Sequence, residues 1–210
     1  MQGSASLEIA PALTAQGIAC RRGDRLLFRG LSFAMQSGEA LHLTGANGTG
    51  KTTLIRVLAG LTTPYAGEVT RAGALGLLDE RPALDPDLPL GKALAFWHRI
   101  DGCSDPSGAL AVLGLEPLLE VPVRYLSTGQ RKRAGLAALM GRGVPIWLLD
   151  EPLSGLDMAA IEQVTALIQA HVDEGGIALI ASHQVLTIKD LRCLELSDYA
   201  APILRLEEDA

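Results

Sequence analysis

The chain has no excess of positive charge. Its 18 Lys and Arg are outnumbered by 24 Asp and Glu, for a formal net charge of -6, so no overall basic field exists to hold a phosphodiester backbone, and nucleic-acid binding is not expected. Cysteine is nearly absent. Cys20, Cys103 and Cys193 lie far apart and form no CxxC pair, which argues against a zinc site and a disulfide framework and suits a reducing cytosol. Long hydrophobic runs are missing as well. The most apolar stretches, "VPIWLLDEPL" and "GGIALIASH", fall well short of the roughly 20 residues that a membrane span requires. The N-terminal "MQGSASLEIAPALTAQG" has no basic start followed by an apolar core, so it reads as a flexible lead-in and not as a secretory signal. Neither internal repeats nor low-complexity segments occur. Aromatics make up only 4% of the residues, which makes the adjacent pair Phe96 and Trp97 conspicuous.

What is present is a chain that is 48% hydrophobic over 210 residues, enough for one sizeable core. "EALHLTGANGTGKTTLIRVLAGL" reads as a short apolar strand, a glycine-rich turn and a helix with Leu54, Val57, Leu58 and Leu61 on one face. "VPIWLLDEP" and "GIALIASHQ" read as buried strands, since continuous apolar runs suit a sheet covered on both faces. The helical "MAAIEQVTALIQAHVDEGG" between them implies a crossover connection, hence a mostly parallel sheet and an α/β fold. Upstream, "GIACRRGDRLLFRGLSFAMQSGE" suggests an antiparallel ribbon. From Leu84 to Gly143 the pattern is helical, punctuated by Pro and Gly. We therefore expect one domain over 1–210, with residues 7–83 and 144–205 forming the core and ribbon and 84–143 forming a helical subdomain.

"GANGTGKT", Gly45 to Thr52, fits G-x-x-x-x-G-K-[ST] in the strand–loop–helix context that the pattern requires. Gly45, Gly48 and Gly50 let backbone N–H groups turn inward around phosphate oxygens, and the following helix directs its positive end at the same place. Lys51 would reach the β and γ phosphates, and Thr52 offers a hydroxyl to Mg²⁺. The strand ending "WLLDEP" places Asp150 where ligands bind in an open α/β sheet, able to hold magnesium. Glu151 follows, placed to polarise an attacking water as general base. His183, at the end of the next strand, could contact the γ phosphate and position that water, whereas His42, His98 and His171 lack such placement. One stretch raises a question. In "YLSTGQRKRAGLAALM" the cations Arg131, Lys132 and Arg133 sit near a helix start, where they oppose the helix dipole unless an anion is close. A plain solvated helix start is the alternative.

In the order "GANGTGKTT", "LSTGQ", "WLLDEP", "SGLD" and "SH", the chain resembles the nucleotide-binding domain of ABC transporters over almost its whole length. That resemblance implies a P-loop ABC cassette with a mostly parallel core sheet, an antiparallel β subdomain and a helical subdomain. It implies ATP and Mg²⁺ as ligands, with Asn47 and Thr53 adding to the phosphate loop. Two copies would face head to tail, each signature (Ser127, Gly129, Gln130) closing over ATP held by the other, with Asp157 of "SGLD" in the same set. The three cations after the signature would face away from direct contact. The groove between core and helical subdomain would receive a helix of an integral membrane subunit. Phe96 and Trp97 either fill the subdomain or contact that partner.

Three positions depart from the family. Arg21 or Arg22 stands where an aromatic usually stacks on adenine, and a guanidinium can also stack on a flat ring. Glu80, or Asp79 with a small alignment shift, replaces a Gln that touches Mg²⁺ and water. Thr128 replaces a signature glycine. Together with the short length, "RRGDRLLFRGLSF", "LAFWHR" and "EGGIALIASHQ" resemble more narrowly the cytochrome c biogenesis ATP-binding export family. That likeness implies an ATPase at the cytoplasmic face of the bacterial inner membrane, working with the membrane subunits of a cytochrome c maturation complex to drive release of haem-loaded chaperone. A haem site on the chain itself is not expected, since neither Cys-x-x-Cys-His nor paired His ligands occur. The alternatives are another exporter of lipid, peptide or drug, or a soluble ABC ATPase acting on a macromolecule.

Overall fold

The computed structural model describes residues 10–80, 82–101 and 107–201. Cys103 and the start of the expected lead-in lie outside them. The lead-in expectation fails for the part that is described. Strand β1 (Ala12–Arg22) turns at Gly23–Asp24 into β2 (Arg25–Gln36), and the two pair antiparallel from Ala12↔Gln36 to Arg22↔Arg25. Leu13, Ala15, Ile18 and Cys20 of β1 are buried. Register shifts between Ala15 and Cys20 break the alternation, which hides this strand from a period-two reading.

Next come β3 (Ala40–Thr44), helix α1 (Lys51–Leu58), β4 (Ala66–Ala72) and β5 (Leu75–Leu78). Helix α1 is shorter than the sequence pattern suggested. It closes at Ala59 and Gly60, and Leu61 is exposed instead of joining the apolar face. Arg71 of β4 caps the α1 end, donating to the carbonyls of Leu58 (2.7 Å) and Val57 (3.3 Å), where a cation also complements the helix dipole.

Between β5 and β6 the chain is helical: α2 (Leu90–Asp101), α3 (Ser107–Val112), two 3-10 turns, and α4 (Thr128–Gly141). The chain then returns through β6 (Ile146–Asp150), α5 (Met158–Asp173), β7 (Ile177–Ala181) and β8 (Arg192–Glu195). The main sheet is parallel in the order β5-β6-β7-β3-β8, and a second, antiparallel sheet runs β2-β1-β4.

The parallel strands divide their side chains between two cores. Leu41, Leu43, Ile146, Leu148, Ile177 and Leu179 pack with α1 and the antiparallel sheet. Trp147, Leu149, Ala178 and Ile180 pack with the residues of α4, α5 and the helical segment. Every residue of β6 and β7 is buried, which is why both read as unbroken apolar runs. Among the described residues, no helix is long and apolar enough to cross a membrane.

Candidate functional site

The strands of the main sheet run parallel, so their carboxyl ends open on one edge, where α/β folds place ligands. β3 delivers the glycine loop there, β6 delivers Asp150 and Glu151, β7 delivers Ser182 and His183, and β5 delivers Asp79 and Glu80. A cavity of about 200 Å³ lies between them, lined by Arg22, Leu27, Asn47, Gly48, Gly50, Lys51, Thr52, Thr53, Glu80, Asp150, Glu151 and His183.

The loop holds its shape through glycine. Gly50, at φ 111°, caps α1, and a Cβ there would come within 2.9 Å of the Phe28 ring. A side chain at this point would meet both backbone strain and the β2 wall. Lys51 is buried and donates to the carbonyl of Gly45 at 2.6 Å and of Ala46 at 3.3 Å, which fixes the ammonium across the mouth of the loop.

His183 joins loop to strand end. Its Nε2 lies 2.7 Å from Asn47 Oδ1, 3.1 Å from Lys51 Nζ and 3.5 Å from Glu151 Oε1. One ring nitrogen cannot serve all three alike. Carrying a proton, Nε2 donates to Asn47 and faces the Glu151 carboxylate; without one, it accepts from Lys51. Glu151 itself is held in the left-handed region at φ 49°, with its N–H donating to the Ala181 carbonyl at 2.8 Å.

Asp150 is 2% exposed. Burial pushes its carboxyl up from the usual range, while a hydrogen bond from the Thr52 hydroxyl and the nearby Lys132 charge pull the other way. Its Oδ2 is buried with no hydrogen-bond partner. A buried carboxylate oxygen left open beside a threonine hydroxyl, with Glu80 on the same wall, is a donor set of hard oxygens that suits magnesium. Among the described residues, no group of three or more His, Cys, Asp or Glu forms a metal cage of its own. A cation at Asp150 would therefore share its coordination with phosphate and water.

The structure separates alternatives that the sequence left open. Arg22 lines the cavity, whereas Arg21 lies over the Tyr65 ring at 5.2 Å. Glu80 lines the cavity, whereas Asp79 presents its carbonyl to Lys132. Ser127, Gly129, Gln130 and Asp157 do not line this cavity of their own chain. Ser127 caps α4 in a reciprocal pair with Gln130: the Gln130 N–H donates to Ser127 Oγ at 3.2 Å and the Ser127 N–H to Gln130 Oε1 at 2.8 Å. Asp157 caps α5 by accepting from the Ala160 N–H. Gly129 sits so close to the "SGLD" turn that a Cβ would meet the Gly155 carbonyl at 2.5 Å.

Two readings become more specific. Among the cations after the signature, Lys132 is turned inward and is 3% exposed, reaching the carbonyls of Asp150 and Asp79. The question raised by the helix start thus has an answer within the chain, since Asp150, Glu80, Asp79 and Glu151, at and just beyond the ends of β5 and β6, attract that charge. Phe96 and Trp97 also part ways. Trp97 packs against the core and donates to the Ala83 carbonyl, while Phe96 is 46% exposed. Trp97 lines an apolar groove with Leu77, Leu78, Pro82 and Leu139. Sequence reasoning missed Leu27 at the cavity, because a leucine within an amphipathic strand carries no signal of its own.

Residues 28–154 match the ABC transporter family pattern. The chain is 56% identical over 187 residues to the cytochrome c biogenesis ATP-binding export protein CcmA of Novosphingobium aromaticivorans, covering 89% of this chain and 96% of that protein. It is 47% identical over 190 residues to the protein of the same name from Zymomonas mobilis, covering 90% and 86%. Among solved structures, the ATP-binding subunit of an ABC transporter superposes with a TM-score of 0.74 at 24% identity, over 81% of this chain and 79% of that one. This last is a likeness of fold.

Proposed function

Because the chain belongs to the ABC transporter family, and within it to the cytochrome c biogenesis ATP-binding export proteins, we propose that it is the ATP-hydrolysing subunit of an exporter serving cytochrome c maturation. It works as a peripheral subunit at the cytoplasmic face of the bacterial inner membrane, coupling hydrolysis to haem export or release of a haem-loaded chaperone. The observation that carries this is the meeting of Lys51, Asp150, Glu151 and His183 on one cavity, together with the identity of 56% to a relative of that name.

The residues divide the work as follows. Gly45, Asn47, Gly48, Gly50, Lys51, Thr52 and Thr53 wrap and neutralise the phosphates, the backbone N–H groups and the α1 start adding their partial charge. Bound magnesium would supply positive charge to the β and γ oxygens, held by Thr52, Asp150 and Glu80. Glu151 accepts the proton of the attacking water, and His183 holds that water against the γ phosphate while touching Glu151. Arg22 covers the base. Ser127, Gly129, Gln130 and Asp157 act on the nucleotide of a second copy, head to tail. That none of them lines the cavity of its own chain supports that assignment. Residues 84–143 act as a helical subdomain, and the Trp97 groove accepts a helix of the membrane subunit.

The test is a cell whose only copy carries Glu151→Gln. ATP hydrolysis by the purified chain should fall by about 10²-fold or more, and staining should show c-type cytochromes without covalent haem. Normal cytochromes beside a demonstrably inactive ATPase would redirect the assignment to another exporter.

A further inference from the structure

The proposed mechanism leaves one buried charge unused. Lys132 stands one turn into α4, the helix that begins at the signature, and is 3% exposed. Its neighbours in sequence do not share its direction: Arg133 donates to the Leu113 carbonyl within the helical segment, and Arg131 is partly exposed. Lys132 Nζ donates to the carbonyl of Asp150 at 3.0 Å and to that of Asp79 at 3.2 Å. These two oxygens belong to the peptide units that join Asp150 to Glu151 and Asp79 to Glu80. One ammonium therefore grips the main chain directly before the two side chains assigned to water activation and to magnesium.

The 150–151 unit is held from its other side as well, since the Glu151 N–H donates to Ala181. With both of its polar groups engaged, that unit is held in one orientation directly before Glu151, whose own backbone is left-handed. Charge points the same way. Burial lowers the Lys132 pKa from its usual 10.5, and the charges of Asp150, Glu80, Asp79 and Glu151 pull the other way. Glu80 adds a negative charge where ABC cassettes usually carry a neutral Gln, and Lys132 is a buried cation placed to offset it.

We infer that Lys132 is a positioning residue that ties the signature helix α4 to the ends of β5 and β6, fixing Glu151 and Glu80 for hydrolysis and compensating the charge of Glu80. The inference rests on the proposed ATPase function. It makes α4 more than a platform for the signature: when a second copy closes on Ser127 and Gly129, the displacement reaches the water-activating carboxylate through one side chain.

The test uses the full chain with magnesium and ATP, comparing wild type, Lys132→Met, Glu80→Gln and the double variant, with nucleotide affinity read by a fluorescent ATP analogue. Lys132→Met should lower kcat by about 10- to 100-fold, while affinity for the analogue changes by less than about three-fold. In the double variant the two effects should not add, and about ten-fold of the lost kcat should return once the uncompensated acid is gone. Should Lys132→Met not fold, Lys132→Gln, which keeps a donor but loses the charge, is read by the same criteria. A kcat within about two-fold of wild type, or losses that add without recovery, would overturn the inference. A wild-type chain that hydrolyses no ATP would overturn the proposed function and this inference together, whereas an active wild type matched by an equally active Lys132→Met would overturn this inference alone.

Discussion

His183 touches Asn47 of the phosphate loop, Lys51 at its mouth and Glu151 at the end of β6 through one nitrogen. Removing the ring severs all three contacts while leaving the loop's own bonds from Lys51 to Gly45 and Ala46 in place. His183→Ala should therefore retain nucleotide binding and lose about 10²-fold in kcat. Single-turnover hydrolysis beside equilibrium binding separates the two quantities, and an equal loss in both would contradict this division of roles. At this scale the sequence was informative where chemistry is contiguous. The glycine loop, Asp150–Glu151 and His183 are each spelled within a few residues, and the fold merely gathers them. Lys132 was visible as an anomaly of charge at a helix start, but its direction was not legible, because it depends on which face of α4 lies against β5 and β6.

Helix α5 shows what an element contributes. His171 stacks on Trp147 of β6 with ring centroids 3.8 Å apart and planes 8° from parallel, and its Nε2–H donates to the Ile177 carbonyl at the start of β7. Burial pushes its pKa down from the usual 6.5. The unfolded chain therefore binds a proton near pH 6.5 that the folded chain refuses, and stability should fall as the pH drops below about 6.5. Urea unfolding at pH 7.5 and 5.5 should show the loss, and His171→Phe should reduce it while keeping a stacked ring. Helix α4 makes a different demand at Gly129. An added Cβ would press on the Gly155 carbonyl, so Gly129→Ala should cost about 1–3 kcal/mol, read as a lower melting temperature, and should also weaken ATP hydrolysis.

The elements that escaped the sequence share a physical cause. β4 is polar and mostly exposed, joined to β1 by backbone hydrogen bonds that no side-chain pattern announces. β5 and β8 have four residues each, too short for a period to show. The buried strands β3, β6 and β7, covered on both faces, were legible for the opposite reason.

On the scale of the whole molecule, Asp150 and Glu151 line the cavity, whereas Ser127, Gly129 and Gln130 do not. A single copy assembles half of what the proposed reaction needs. Glu151→Gln, which on the proposed mechanism would bind ATP without consuming it, should then run as a dimer in light scattering with saturating ATP and magnesium and as a monomer without them. A monomer under both conditions would contradict the head-to-tail arrangement. The net charge of -6 also predicts no mobility shift with nucleic acid at low salt.

The backbone at Glu151 sits at φ 49°, a conformation that favours glycine. Selection for stability and selection for activity therefore pull this position apart. Glu151→Gly should relieve about 1 kcal/mol of backbone strain and raise the melting temperature, yet leave no base for the water. A library of variants sorted by heat resistance would enrich that substitution, and one sorted by cytochrome yield would purge it. Breeding this protein for robustness without watching its turnover would, at residue 151, select against the work it is proposed to do.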